Sequence, residues 1–301
     1  MGSLLVPPLF RPWAHEDTQS GARPLGLWPT AMPAPVAVEF DDVWFQWDDH
    51  IVLRGISFTV PKGSMRMLLG ASGSGKSTIL KIILGLIRPD AGHVLVNGEP
   101  IDGLAERDLL RVRADIGMLF QEGALFDSLT VAENVGYRLA EETRMADEEL
   151  DRRVEDVLGF VGLRDYRDRL PAELSGGQRR RVGIARAMAA KPGLLLFDDP
   201  TTGLDPILAT TVNDEIVKLR DLEQVTSIIV THQLRDAFYV ATHQAVRKDG
   251  RVEIVKTGEA ARADFMLLHD GTIAFEGNAT ELLASRDDYL QRYLYNTLPP
   301  W

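Results

Sequence analysis

Gly70-Ala71-Ser72-Gly73-Ser74-Gly75-Lys76-Ser77-Thr78 matches the pattern G-x-x-x-x-G-K-[ST] at every fixed position. Before it runs Met65-Arg66-Met67-Leu68-Leu69, a short and mostly apolar stretch that reads as a strand. After it runs Ile79-Leu80-Lys81-Ile82-Ile83-Leu84-Gly85, which reads as a helix ended by glycine. Strand, glycine loop and helix form the context this motif needs. Glycines let backbone N–H groups converge on phosphate oxygens with no Cβ in the way. The new helix turns the positive end of its dipole to the same point. Lys76 is placed to reach the outer phosphates of a nucleotide, and the Ser77 hydroxyl to ligate a magnesium ion.

Composition narrows the class. The chain has 301 residues, enough for one large domain or two smaller ones, and is 45% apolar and 26% charged. Its net charge of −11 argues against non-specific nucleic-acid binding. There are no cysteines, which excludes a disulfide framework, a thiolate metal site and a cysteine nucleophile. No apolar run approaches the roughly 18 residues of a membrane span. The stretch Leu4 to Phe10 lacks a preceding basic residue and is not read as a signal peptide.

The rest of the chain falls into order around the loop. Residues 1–35 hold seven prolines with little periodicity and are expected to form a flexible tail, with Trp13 and Trp28 as unusual members. Val36–Phe40, Val43–Trp47 and Ile56–Val60 alternate as strands do. Val94–Val96 is a strand ending at an Asn97-Gly98 turn, and Ile116–Phe120 is a strand ending at Gln121. Residues 129–190 read as mostly helical, with Thr130 and Glu133 as a capping box and one charged helix from Glu141 to Phe160. Leu174-Ser175-Gly176-Gly177-Gln178 opens a basic helix through Met188, with Ser175 as its natural cap. Leu194–Phe197 and Ser227–Val230 are continuous apolar runs, suited to strands buried on both faces of a parallel sheet. Two hairpins follow, turning at Asp249-Gly250 and Asp270-Gly271, then a short helix near Thr280–Ala284 and a tail.

Taken in order, the phosphate loop, Gln121, Leu174–Gln178, Asp198-Asp199, Gly203-Leu204-Asp205 and His232 resemble the motif series of an ATP-binding-cassette (ABC) ATPase. The resemblance spans about Val38 to Leu283. It implies an α/β P-loop NTPase cassette with a mixed, largely parallel RecA-like core sheet, an antiparallel β subdomain and a helical signature subdomain. The expected layout is a tail at 1–35, the ATPase domain at 36–285 with its helical part at about 122–190, and a C-terminal tail at 286–301. ATP and Mg²⁺ are the implied cofactors. Residues 70–78 would cradle the phosphates, with Lys76 catalytic as well. Trp47 would stack on adenine, and Ser77, Gln121 and Asp198 would attend the metal. Asp199 and His232, with Gln121, would order the attacking water. Asp199 stands where the family usually has glutamate. One methylene less draws the carboxylate back by roughly 1.5 Å, so either the local backbone compensates or hydrolysis is slow. His15, His50, His93, His243 and His269 have no such context and are left as surface residues. Ser175, Gly176, Gly177, Gln178 and Asp205 would serve the nucleotide of a second copy, which implies a two-fold homodimer with two ATP molecules sandwiched.

Phe120–Val135, Thr231–Phe238 and Asp288–Leu294 are similar to the matching stretches of Mce/Mla-type ATPases. That likeness implies a bacterial subunit powering phospholipid or other lipid transport through a separate permease, with an Mce-type substrate-binding protein. It would sit peripherally on the cytoplasmic face of the inner membrane, with no nucleic-acid partner. A polar amino-acid importer and a regulatory ATPase acting on a membrane partner stay open.

Overall fold

The structure is a computed structural model that describes residues 35–121, 123–248, 250–257 and 263–297. The expectations for residues 1–34, for the Asp249 turn position and for Leu298 to Trp301 lie outside the described residues.

The first two strands, β1 (Val36–Trp47) and β2 (His50–Pro61), form an antiparallel pair. Val36–Phe40 and Val43–Trp47, expected as separate strands, are one strand bent in the middle. The register slips between Phe40 and Val43, where Asp42 takes a left-handed φ of 47° and its N–H donates to Ser57 Oγ at 2.9 Å. A bulge of this kind turns a strand without ending it. Phe40 stacks on Phe58 at 4.7 Å, and Val38 and Val43 are fully buried beside them.

Next come β3 (Met65–Gly70), α1 (Lys76–Ile83), β4 (Ala91–Val96) and β5 (Glu99–Pro100). The Asn97-Gly98 turn between β4 and β5 has φ of 52° and 81°, both in the region that two-residue hairpins need. The helix α2 (Glu106–Ala114), which sequence patterning did not mark, leads into β6 (Ile116–Leu119). The helical part is α3 (Val131–Glu142), α4 (Asp147–Phe160) and α5 (Gly176–Ala189). The expected single helix from Glu141 to Phe160 is therefore two. Thr143 is extended at the break, and its hydroxyl turns back to Leu139 O at 2.6 Å, competing with helix continuation. The capping box at Thr130 forms as its sequence requires: the Glu133 N–H donates to Thr130 Oγ1 and Thr130 N–H to the Glu133 carboxylate.

The remainder alternates: β7 (Leu194–Asp198), α6 (Pro206–Lys218), β8 (Thr226–Val230), α7 (Leu234–Thr242), β9 (His243–Lys248), β10 (Arg251–Lys256), β11 (Asp264–His269), β12 (Thr272–Asn278), α8 (Ala279–Ala284) and α9 (Asp288–Thr297). The expected tail at 286–301 is in fact mostly α9. The Asp287 carboxylate accepts from the N–H groups of Tyr289 and Leu290, and Leu290 and Leu294 are buried in the core. Two leucines four apart make one apolar face, enough to dock a short helix.

The core sheet runs β12-β11-β3-β8-β7-β6, with β11, β3, β8, β7 and β6 parallel and β12 antiparallel at the edge. A second, antiparallel sheet is ordered β2-β1-β4-β5, and β9 and β10 pair separately. The fold is the expected α/β one, with a mixed core sheet, an antiparallel sheet and a helical part. Leu194, Leu195, Leu196 and Phe197 are each at most 1% exposed, as a strand covered by helices on both faces must be. Close approach is built in at Gly117 of β6, where a Cβ would stand 2.3 Å from Ala187 O of α5. In register, Leu68 of β3 and Asp198 of β7 both pair with Val230 of β8. Three neighbouring parallel strands thus end together, and their loops open on one edge of the sheet, where such folds place ligands.

Candidate active site

The loop after β3 wraps over the start of α1. Gly70, Gly73 and Gly75 have φ of 149°, 80° and 97°, values that side chains with a Cβ adopt at a cost. Gly75 stands as the N-cap of α1 with no side-chain cap, so the first amides of that helix are left for a ligand. Lys76 is buried. Its ammonium donates to Gly70 O at 2.9 Å and Ala71 O at 2.8 Å, so it is folded back into its own loop. Burial holds its affinity for a proton below that of an ordinary lysine, while the Asp199 and Asp198 carboxylates pull the other way.

From β7, Asp198 accepts a hydrogen bond from Ser77 Oγ at 2.9 Å. Burial raises the Asp198 carboxyl above the usual aspartate value, against the opposing pull of the Ser77 bond. Asp199 follows at φ 46°, a left-handed conformation that aspartate tolerates because its short side chain bonds locally. Its Oδ1 accepts from the His232 backbone N–H at 3.2 Å and lies 2.9 Å from His232 Nδ1. An ionised carboxylate only accepts, so Nδ1 carries the proton and Nε2 is left for a ligand. In this conformation the aspartate is aimed at the histidine.

Lys76, Ser77, Asp199 and His232, but not Asp198, share a cleft of about 550 Å³. It is lined by Trp47, His50, Val52, Gln121, Asp199, His232 and the loop residues Ser72, Gly73, Gly75, Lys76, Ser77 and Thr78. Trp47 stands half exposed, edge-on to Phe45 at 5.0 Å. Trp44 does not line the cleft; its indole N–H is fixed on Asp42 Oδ1 at 3.1 Å. Of the expected phosphate-loop residues, Ala71 and Ser74 face a neighbouring cleft of about 550 Å³, which Ser72 and Gly73 also line, and Gly70 lines neither cleft.

His50, expected as an ordinary surface residue, lines both clefts. Its sign in the sequence was its place at the turn directly after Trp47, a position that a strand-by-strand reading passes over. His269 stacks on Tyr289 at 3.6 Å, so it too has a defined neighbour.

The second glycine-rich helix start lies elsewhere. Ser175, Gly176, Gly177, Gln178 and Asp205 line neither cleft. Ser175 caps α5 in a closed box: Gln178 N–H donates to Ser175 Oγ at 3.2 Å and Ser175 N–H to Gln178 Oε1 at 2.8 Å. Asp205 caps α6, accepting from Ile207 and Leu208 N–H at 2.9 and 3.1 Å. The two helix starts pack together, with Leu204 and Leu208 filling the space that a Cβ on Gly176 or Gly177 would need. Arg179, Arg180 and Arg181 of this basic helix donate to the carbonyls of Leu174, Thr202 and Val161.

A magnesium ion fits the donors present. Ser77 Oγ and Asp198 Oδ1 are already within hydrogen-bond distance, and one hydroxyl with one carboxylate is the usual protein share when phosphates and water complete the shell. No group of three or more histidines, aspartates or glutamates among the described residues forms an all-protein cage.

The ABC transporter family pattern matches residues 53–202. MlaF of Escherichia coli K12, an intermembrane phospholipid transport system ATP-binding protein, is 37% identical over 227 residues, covering 75% of this chain and 84% of MlaF. The methionine import ATP-binding protein MetN 1 of Rhodopseudomonas palustris is 41% identical over 255 residues, covering 83% of this chain but 66% of MetN 1. Among solved structures, the dimeric ATP-binding cassette MJ0796 bound to ADP and Pi superposes with a TM-score of 0.66 at 29% identity, covering 80% of this chain and 98% of that one. With the loop, the Asp198-Asp199 strand end and His232 gathered on one sheet edge, these likenesses place the chain in the ABC transporter family, as an ATP-binding ATPase subunit.

Proposed function

We propose that this ATPase powers lipid movement, with phospholipid as the substrate class, through a separate membrane permease. The observation that carries the reading is the extent of the likeness to MlaF, which takes in 84% of that phospholipid-transport protein, whereas a third of the methionine importer lies outside its match. MetN 1 has the higher identity over its matched part, 41% against 37%, so amino-acid import is the second reading. No helix among the described residues is long and apolar enough to cross a membrane. The site proposed on the inner-membrane face follows from that partnership.

In this reading the residues divide the work. Trp47 stacks on the base, the backbone of residues 70–78 encloses the phosphates, and Lys76 leaves the Gly70 and Ala71 carbonyls to meet them. Ser77, Asp198 and Gln121 attend Mg²⁺, which supplies charge neutralisation at the outer phosphates when bound. Asp199 orients His232 and accepts the proton of the attacking water, while His232 Nε2 meets the outer phosphate. The uncapped remainder of the α5 start, Gly176 and Gly177, with Asp205 beside it, closes on the nucleotide of a second copy. Dimer closure then depends on ATP being present at both seams, a population shift by differential binding. In this reading the permease would dock in a groove of about 480 Å³ between α3 and α4, lined by Leu129, Tyr137, Leu150 and Arg167 among others.

A pull-down of the tagged chain from detergent-solubilised membranes, with lipid extraction, tests the substrate class. A permease, a lipid-binding partner and bound phospholipid are expected. A soluble amino-acid receptor with its permease would move the chain to the import branch.

A further inference from the structure

The second cleft beside the phosphate loop has walls that the nucleotide cleft does not share. Arg54, His269, Asp270 and Tyr289 line it alone, while His50, Ser72 and Gly73 line both. Its volume of about 550 Å³ is ample for an anion of several heavy atoms. Arg54 stands on β2 beside the Asp270-Gly271 turn. Its backbone N–H donates to Gly271 O at 2.8 Å, and a Cβ on Gly271 would lie 3.1 Å from Arg54 Cγ. The start of the side chain is thus fixed against the turn, yet among the described residues its guanidinium has no hydrogen bond or ion pair.

Side-chain donors outnumber carboxylates on these walls. His50 and His269 each present an imidazole. Tyr289 adds a hydroxyl whose ionisation is raised by burial and then by Asp270, so it stays a neutral donor. The one carboxylate is Asp270. It is 86% exposed, and its Oδ2 lies 3.4 Å from His269 Nε2, so solvent screens much of its charge. The His269 ring lies flat against Tyr289 at 3.6 Å, and the helix that carries Tyr289 is held by buried Leu290 and Leu294. An acid-poor cleft with an unspent guanidinium is unusual on a chain of net charge −11. A planar fork of N–H groups meets phosphate oxygens in pairs, and ring and hydroxyl donors suit the oxygens that remain.

We propose that this cleft is a second anion site, which takes a phosphate group on Arg54 with His269 and Tyr289 as further donors. Free phosphate and the phosphate of a lipid headgroup share that chemistry. Ser72 and Gly73 form a wall common to both clefts. Two anions on either side of that wall repel, so occupancy of one cleft weakens binding in the other, and the effect is reciprocal. The coupling rests on the ATP-binding reading of the loop; the anion site itself does not.

Calorimetry of the full chain saturated with Mg-ADP tests the site, with inorganic phosphate and glycerol 3-phosphate as separate probes. At least one probe is expected to bind at a single site. Tighter binding of phosphate assigns the cleft to the free anion, and tighter binding of glycerol 3-phosphate to a headgroup. Arg54→Gln is expected to weaken the better probe at least about tenfold, and Arg54→Lys about threefold, since lysine keeps the charge and loses the fork. The melting temperature of Arg54→Gln without ligands is expected within about 2 °C of wild type, because the guanidinium bonds to nothing in the fold. Should that variant fail to fold, Arg54→Lys carries the same comparison. A saturating probe is expected to raise the Mg-ATP dissociation constant by about two- to fivefold in wild type, and not in Arg54→Gln. No binding of either probe would overturn the proposal, as would binding that Arg54→Gln leaves unchanged. An unaltered Mg-ATP affinity would overturn the coupling alone. Failure of the wild type to bind Mg-ADP would instead remove the nucleotide reading, and the difference between wild type and Arg54→Gln would still judge the cleft.

Discussion

Two helices in this molecule begin at glycine-rich runs, and they are built to opposite ends. The α1 start has Gly75 as its cap, in left-handed geometry and with no side chain to satisfy the first amides. The α5 start has Ser175 and Gln178 locked in a reciprocal capping box. The first keeps its donors for an incoming anion. The second spends some of them on itself and relies on Gly176 and Gly177, which lie under Leu204 and Leu208 of the neighbouring helix start. A helix N-terminus is thus a complete phosphate site only where the chain withholds its own cap. The α5 start can contribute part of one.

That difference can be tested by attacking each start. Lys76→Ala should have the largest effect, because it removes the one cation of the complete site: Mg-ATP affinity measured by calorimetry should fall at least about a hundredfold. Ser175→Arg should abolish steady-state ATPase activity, by about a hundredfold or more, while one chain's ATP binding stays within about threefold of wild type. Equal loss of binding and turnover would mean that both starts serve one nucleotide in one chain.

Asp198→Asn separates charge from shape at the α1 start, since asparagine can still accept from Ser77. The sign follows from burial. A carboxyl whose folded-state value is raised holds its proton after the unfolded chain has lost it. Its contribution to stability is therefore greatest at low pH and declines as pH rises from the ordinary aspartate value of 3.8 through the raised one. The variant should show that acid-side gain flattened and a nucleotide-free melting temperature no lower at neutral pH, yet lose the Mg²⁺ dependence of ATP binding. The smallest effect is the cap itself. Ser175→Ala and Thr130→Ala should each cost about 1 kcal/mol, read as a fall of about 2–4 °C in melting temperature. Ser175→Ala should in addition depress turnover, and Thr130→Ala should not.

Much of this was written in local sequence. The loop, the two long apolar strands, the capping box at Thr130 and the cap at Ser175 each depend on neighbours within four residues, and each formed as its pattern implied. Non-local features were hidden. That Asp199 would reach His232 depends on two strand ends meeting in register, with a positive φ at Asp199 that no propensity announces. His50 lines the cleft from the start of β2, opposite loop residues more distant in sequence than any local pattern reaches. The terminal helix was mistaken for a tail since ten residues carry only two core leucines, and its docking surface is made by α7 and β11, remote in sequence. The split of α3 from α4 was obscured by charged residues on both sides of Thr143, which continue a helical composition across a backbone break.

The folded-back Lys76 has a further consequence. Two peptide oxygens act as a resident competitor for the single ammonium of the loop, so every phosphate compound must first displace them. A ligand with one weakly charged phosphate gains too little Coulombic attraction to complete that exchange, whereas a polyphosphate completes it easily. The loop therefore screens by charge before it screens by shape: inorganic phosphate and nucleoside monophosphates, abundant in any cell, meet a lysine that is already engaged from within.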